Sequence, residues 1–242
     1  METSSCARWR RHFETQSTRP LPSIPKEISG LPYQRELVRS LAIFQLGEMG
    51  EGRIANQIDH VQLPGIDHDY RIALKLFVKE EGRHARVLAA MVRALGGELI
   101  HETWTAALFV RARRLAGIRL KLLVLLVAEV VSVVCYGLIA AKLPTSASRT
   151  ALLQIAADER NHLRFHADFF SSQVRDSTLR RALFHAAFFT VGTAATLVVL
   201  IDHRPLFRAL GHSPVTCVRR FRRVLVTCAM LSVRVPVRGR AA

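Results

Sequence analysis

The sequence predicts an all-α protein: a four-helix bundle with a long crossover between its second and third helices, plus an extra C-terminal helix. Three observations carry this. Apolar residues recur at three- and four-residue spacing through five segments. A long connection, residues 98–116, interrupts them at mid-chain, where bundles with one long crossover place it. Two short motifs, Glu81-Gly82-Arg83-His84 and Glu159-Arg160-Asn161-His162, repeat Glu-x-x-His, and each follows a lone glutamate, Glu48 or Glu129, by 33 and 30 residues.

Residues 1–33 read as an irregular lead-in, because Pro20, Pro22, Pro25 and Pro32 interrupt it and no long apolar run is present. The bundle is expected over 34–174. Its first helix spans about 34–62, with Leu37, Leu41, Phe44 and Glu48 on one side, and stops at Pro64-Gly65. The second spans about 67–95, opening on an acid and closing at Gly96-Gly97, both good boundary signals. A short helix is expected near Trp104–Arg114 within the crossover. The third covers about 117–142 and ends before Pro144; the fourth starts at Ser146 or Ser148, either of which could cap it, and reaches about Val174. An additional apolar helix follows within 175–210, and 211–242 reads as a basic tail.

With 242 residues, half of them apolar, the chain is long enough for one well-buried core and too apolar for disorder. Cys6, Cys135, Cys217 and Cys228 show no close spacing, which argues against a thiolate zinc site or a disulfide framework and fits a reducing, cytoplasmic setting. The net charge of +16 is uneven: residues 203–242 carry nine arginines and no Asp or Glu. Such a segment suits an anionic membrane surface, a nucleic acid or an acidic partner, or is simply a solvated basic end. No aromatic-rich recognition pattern accompanies the arginines, which argues against nucleic acid.

The glutamates are not ordinary surface charge. On a helix, positions i and i+3 lie on one face, so each Glu-x-x-His can aim a carboxylate and an imidazole at one point. Glu48, Glu81, Glu129 and Glu159 each fall roughly 16 to 21 Å along their helices at about 1.5 Å per residue, so antiparallel helices can bring them to one level. Glu129 is the only ionisable acid or base in Leu122–Ala141. An unpaired carboxylate there is costly to bury, and a cation offsets that cost. A transmembrane span meets the same length rule, but an acid at its centre would still mark a functional interior. Glu51 lies one turn beyond Glu48 and is an alternative ligand. Tyr136 and His166 can face the site as supporting groups with a catalytic role, and Glu80 and Asp158, about 100° round from the ligand glutamates, are expected to point outward into salt bridges.

Through Glu48, Glu81-x-x-His84, Glu129 and Glu159-x-x-His162, residues 34–174 resemble the ferritin-like di-iron carboxylate superfamily, as a bacterial member with a basic extra helix. The spacing is similar to rubrerythrin-type bundles, and Gly47-Glu48-Met49-Gly50 resembles the demethoxyubiquinone hydroxylases. The chain departs from both: its isolated cysteines cannot build the cysteine-ligated iron domain of a rubrerythrin, and the quinone hydroxylases are more compact between motifs. The resemblance implies two iron ions, with manganese or a mixed pair fitting the same donors. It also implies that Glu81 and Glu159 bridge them, that Glu48 and Glu129 are terminal ligands, and that each ion takes one histidine. The implied activity is that of an oxidase or hydroxylase activating O2 or peroxide. The alternative is an iron-binding, storage or structural metal-binding bundle without an organic substrate.

The fifth segment, 182–201, has His185 as its only titratable group and arginines at its flanks. It could pack on the bundle, mediate a homodimer or touch a membrane surface together with the basic tail. A lipophilic small-molecule substrate or electron donor would approach there. No residue pattern names that substrate.

Overall fold

A computed structural model describes residues 5–104 and 117–234, the side chains of Glu51 and Arg53 excepted; the short helix expected near Trp104–Arg114 and the side chain of Glu51 therefore lie outside the described residues. Among the described residues the chain is all-helical, with nine α-helices and no strand. In chain order these are α1 (Ser5–Ser17), α2 (Gln34–Glu48), α3 (Gly52–Gln57), α4 (His68–Ala94), α5 (Ile118–Ala140), α6 (Ala147–Val174), α7 (Thr178–Asp202), α8 (Arg204–Ala209) and α9 (Pro214–Leu231). α5 packs most extensively on α6, and both α1 and α2 pack on α4. The core runs continuously from Leu37 and Phe44 of α2, through Phe77 and Leu88 of α4 and the apolar face of α5, to Ile155 and Phe165 of α6.

The boundaries follow local chemistry. Asp67 Oδ1 accepts the Tyr70 N–H at 2.7 Å and opens α4. Ser146, not Ser148, opens α6 by accepting the Arg149 N–H at 3.2 Å. α4 closes where Gly96 takes a φ of 75° and the Gly97 N–H returns to the Val92 carbonyl at 2.9 Å. Gly97 also leaves room for α2, since a Cβ there would sit 2.3 Å from Val38 Cγ1.

Three expectations need correction. The single first helix over 34–62 is broken: α2 ends at Glu48, one 3-10 turn covers Met49–Glu51, and another follows α3 at Ile58–His60. Gly47, Gly50 and Gly52 weaken helix propensity across this stretch, so the chain can bend after delivering Glu48 to the core. The lead-in is not wholly irregular, because Cys6, Trp9 and Phe13 form a short apolar stripe that docks α1 on the bundle, with Phe13 fully buried. Within the basic tail, Cys217, Phe221, Leu225 and Cys228 are buried at three- and four-residue spacing, and α9 packs on α5, α6 and α7. Clustered arginines hid both stripes from a reading based on charge.

Candidate metal centre

Four helices deliver carboxylates and imidazoles to one buried cluster. One ligand atom each from Glu81, His84, Glu159 and His162 can be chosen so that all lie within 4.8 Å of one another, and every one of these residues is buried. His162 Nδ1 lies 2.8 Å from Glu81 Oε1 and 3.1 Å from Glu159 Oε2, while His84 Nδ1 lies 3.0 Å from Glu159 Oε1. Each histidine thus faces the glutamate of the other motif. Glu129 joins from α5, with Oε2 3.6 Å from His162 Nδ1 and a hydrogen bond to Glu159. Glu48 joins from α2 through a hydrogen bond to Glu81, and Tyr136 Oη donates to Glu48 Oε1 at 2.5 Å.

The expectation that Glu80 and Asp158 point outward is wrong. Both are buried. Glu80 Oε2 is 3.0 Å from His162 Nε2, and Asp158 Oδ2 is 3.4 Å from His84 Nε2, so each outer carboxylate holds the histidine of the opposite motif. The error has a geometric source. Glu80 and Asp158 are about 100° from the ligand glutamates, but each lies four residues before its own histidine and so shares that histidine's face. The legible signal was an acid directly before each Glu-x-x-His, giving Glu80-Glu81-x-x-His84 and Asp158-Glu159-x-x-His162.

These outer contacts fix the inner chemistry. A carboxylate only accepts, so Nε2 of each ring donates to its outer acid, and Nδ1 of each ring faces the inner glutamates, where a cation would take the place of its proton. Glu81 Oε1, Glu159 Oε1 and His84 Nδ1 are buried yet make no hydrogen bond of acceptable geometry. Ligand atoms that converge in this way are what a cation site requires, and the mixed oxygen and nitrogen donors suit a borderline or hard transition metal.

Protons balance the charge among the protein groups themselves. Burial, then the charges of Glu81 and Glu159, push Glu48 well above the usual carboxylate range; burial, then Glu159 and Glu81, do the same to Glu129. Burial opposes charging of His84, but Glu159 and Asp158 outweigh it and raise the ring to about 9. His162 is also raised against burial, by Glu81 and by hydrogen bonds to Glu129, Glu159 and Glu80. Burial would raise Glu159, yet a hydrogen bond from Glu129, the charge of His84 and a hydrogen bond from His162 hold it well below the ordinary value.

A residue missed entirely by sequence reasoning closes the outer layer. Arg19, from the chain after α1, donates to Asp158 Oδ2 and lies 3.7 Å from Glu80 Oε1. Its own backbone carbonyl accepts from Arg83 on α4. The guanidinium is the counter-charge for two buried acids, so the Glu80–His84–Asp158 group is already served by a cation of the protein. Arg19→Ala is expected to loosen both histidines and weaken divalent-metal binding about 10- to 100-fold, with partial recovery in Arg19→Lys. Competition against a chromogenic chelator measures this, and an unchanged affinity would show that the guanidinium does not support the site.

Aromatic rings wall the same side. Phe13 lies 5.8 Å from the His162 ring, and Phe77 stands edge-on to it at 4.8 Å. His166, fully buried, is edge-on to Phe77 at 4.9 Å, and neither of its ring nitrogens has a hydrogen-bond partner among the described residues. Burial and the neighbouring His162 lower it to about 3, so it is a neutral ring behind the cluster. Compared with protein families, curated proteins and solved structures, the chain has no match.

Proposed function

We propose that the chain is a ferritin-like bundle whose buried cluster holds two iron ions and serves an oxidase or hydroxylase reaction with O2 or peroxide. The observation that carries this is the reciprocal arrangement of the two acid-Glu-x-x-His motifs, with Nδ1 of each histidine turned inward and Nε2 held by the other motif's outer acid. Helix direction supports the bundle type. Gln34 and Tyr33, at the start of α2, reach the Leu95 carbonyl after α4 and the Lys142 carbonyl after α5, while Lys121 at the start of α5 reaches Gln57 and Gln173 at the end of α6 reaches the Pro64 carbonyl before α4. These contacts make α4 and α5 run the same way, as a long crossover between them demands.

In this reading Glu81, Glu159, His84 and His162, with Glu48 and Glu129 beside them, would hold the two ions. Iron in such a donor set supplies electrons for the reduction of O2 or peroxide. The chain's own groups do the rest. Tyr136 holds Glu48 in place, and Leu126, Val130 and the Phe77–Phe165 wall keep water away from the donors. A lipophilic compound is the substrate class such a dry interior admits.

The test is anaerobic addition of Fe(II) followed by O2, which should yield about two oxidised irons per chain, a stoichiometry lost in Glu159→Ala. A stoichiometry of zero in the parent protein would end the proposal, and assembly into a closed shell on size-exclusion would favour storage instead. Loading is also expected to release protons. Burial and the neighbouring acids hold Glu48 and Glu129 above the ordinary carboxylate range, so they keep their protons to higher pH than free carboxyls; metal must displace those protons and its affinity must fall as pH falls. Calorimetry in buffers of differing ionisation enthalpy reads the proton count.

A further inference from the structure

A second group of donors lies behind the histidines, on the side away from the inner glutamates. One ligand atom each from Glu80, His84 and Asp158 can be chosen so that all lie within 4.8 Å of one another, and all three residues are buried. Two carboxylates and an imidazole are donors of the same kind as those of the inner cluster, suited to a divalent transition ion. Glu80 Oε1 makes no hydrogen bond among the described residues. A cation of the protein itself covers the group: Arg19 donates to Asp158 Oδ2 and stands 3.7 Å from Glu80 Oε1. Its side chain is 32% exposed, against 6% for each acid, so the guanidinium stands between them and solvent.

Arg19 can be displaced. It lies beyond the end of α1, in a link that Arg83 holds through the backbone carbonyls of Ser17 and Arg19, so its side chain can swing outward without unwinding a helix. His12, half-buried on α1, is near enough to feel the charges of Glu80, Asp158 and Arg19, which puts a further imidazole at the mouth. Inward, the two rings join this group to the inner one. His84 Nε2 is 3.4 Å from Asp158 Oδ2, and its Nδ1 is 3.0 Å from Glu159 Oε1. His162 Nε2 is 3.0 Å from Glu80 Oε2, and its Nδ1 is 2.8 Å from Glu81 Oε1. A ring that gives either nitrogen to a cation therefore keeps a carboxylate at the other. An ion on the outer acids is separated from the inner donors by the imidazoles alone.

We propose that Glu80, Asp158 and Nε2 of His84 form an entry site for a divalent cation, which Arg19 plugs and an arriving ion opens by taking the guanidinium's place. The onward step to the inner cluster rests on the metal reading above; the entry site itself does not. Two measurements on the metal-free full chain test it, with Co(II) alone as the probe. In stopped-flow loading followed by cobalt absorption, Arg19→Ala should take up Co(II) at least about tenfold faster than the parent, and Glu80→Gln/Asp158→Asn at least about tenfold slower. The amides still accept from the imidazole N–H groups, so the rings stay oriented while the charge that draws the ion in is lost. Were Arg19 only a support for the histidines, its loss would speed release and leave entry unchanged. At equilibrium Arg19→Ala/Glu129→Leu, which lacks both the plug and an inner carboxylate, should hold about one Co(II) per chain, lost when Glu80→Gln and Asp158→Asn are added. Circular dichroism checks the fold of each variant, and the acid variant, which keeps Arg19, decides the matter should Arg19→Ala unfold. Entry within about twofold of the parent in either the Arg19 or the acid variant would overturn the proposal. So would an absence of cobalt in Arg19→Ala/Glu129→Leu, or cobalt kept there after both outer acids are neutralised. A parent that takes up no Co(II) would sink the metal reading, and the cobalt content of Arg19→Ala/Glu129→Leu would then decide the entry site by itself.

Discussion

Glu129→Leu should abolish metal loading and give a metal-free protein more stable than the parent by at least about 1 kcal/mol, because relief of one of four crowded buried carboxyls outweighs the loss of its hydrogen bond to Glu159. Leucine is close to glutamate in volume, and the side chain is buried in the most apolar helix among the described residues. Burial, with Glu159 and Glu81 adding to it, raises the Glu129 carboxyl well above its ordinary range, whereas in the unfolded chain it ionises freely. Folding therefore binds a proton at this group, and its contribution to stability falls as pH rises through and beyond the ordinary carboxylate range. The gain from Glu129→Leu should accordingly be larger at pH 8 than at pH 4. Thermal unfolding of chelator-treated protein at both pH values, beside metal analysis, gives the answer. A variant less stable at both would mean that the carboxyl is a net structural asset rather than a cost carried for metal.

Phe13→Ala should destabilise the fold by about 3–5 kcal/mol, unless α1 leaves the bundle first and caps the loss. Phe13 is fully buried, and its ring meets Phe165 at 5.3 Å, His162 at 5.8 Å and Trp9 at 6.0 Å. α1 has other anchors that resist undocking: Arg10 pairs with Asp69 at 2.6 Å, and Trp9 Nε1 donates to Asp168 at 2.8 Å. Urea unfolding should show the stability loss, and limited proteolysis should cut within residues 1–33 of the variant well before the parent. Unchanged urea and protease resistance would show that α1 contributes little.

Much of the helical plan could be read from the chain. α4, α5, α6 and α7 lie within a few residues of their expected limits because long apolar periodicity and caps such as Asp67 and Ser146 act locally. α1 and α9 escaped notice because their buried stripes, Cys6-Trp9-Phe13 and Cys217-Phe221-Leu225, are short and interleaved with arginine. At the candidate site, the repeated Glu-x-x-His pattern brought Glu81, His84, Glu159 and His162 to attention, and the structure draws their ligand atoms together. The outer acids were misread by measuring angle from the glutamate instead of the histidine. Arg19 had no local signal at all, since its partner is far away in sequence and only tertiary folding joins them.

That separation has a consequence for how the molecule is made. Arg19 and Asp158 are 139 residues apart, so α1 and the link after it leave the ribosome long before α6 exists to receive them. Glu48, Glu81 and His84 are synthesised in the first half of the chain, and Glu129, Glu159 and His162 only in the second. A nascent polypeptide consequently holds a half-set of donors, and a cation encountered during translation would be retained weakly until the last partner helix closes. Loading in the cell should then track completed chains, with short premature products neither trapping metal nor competing for it.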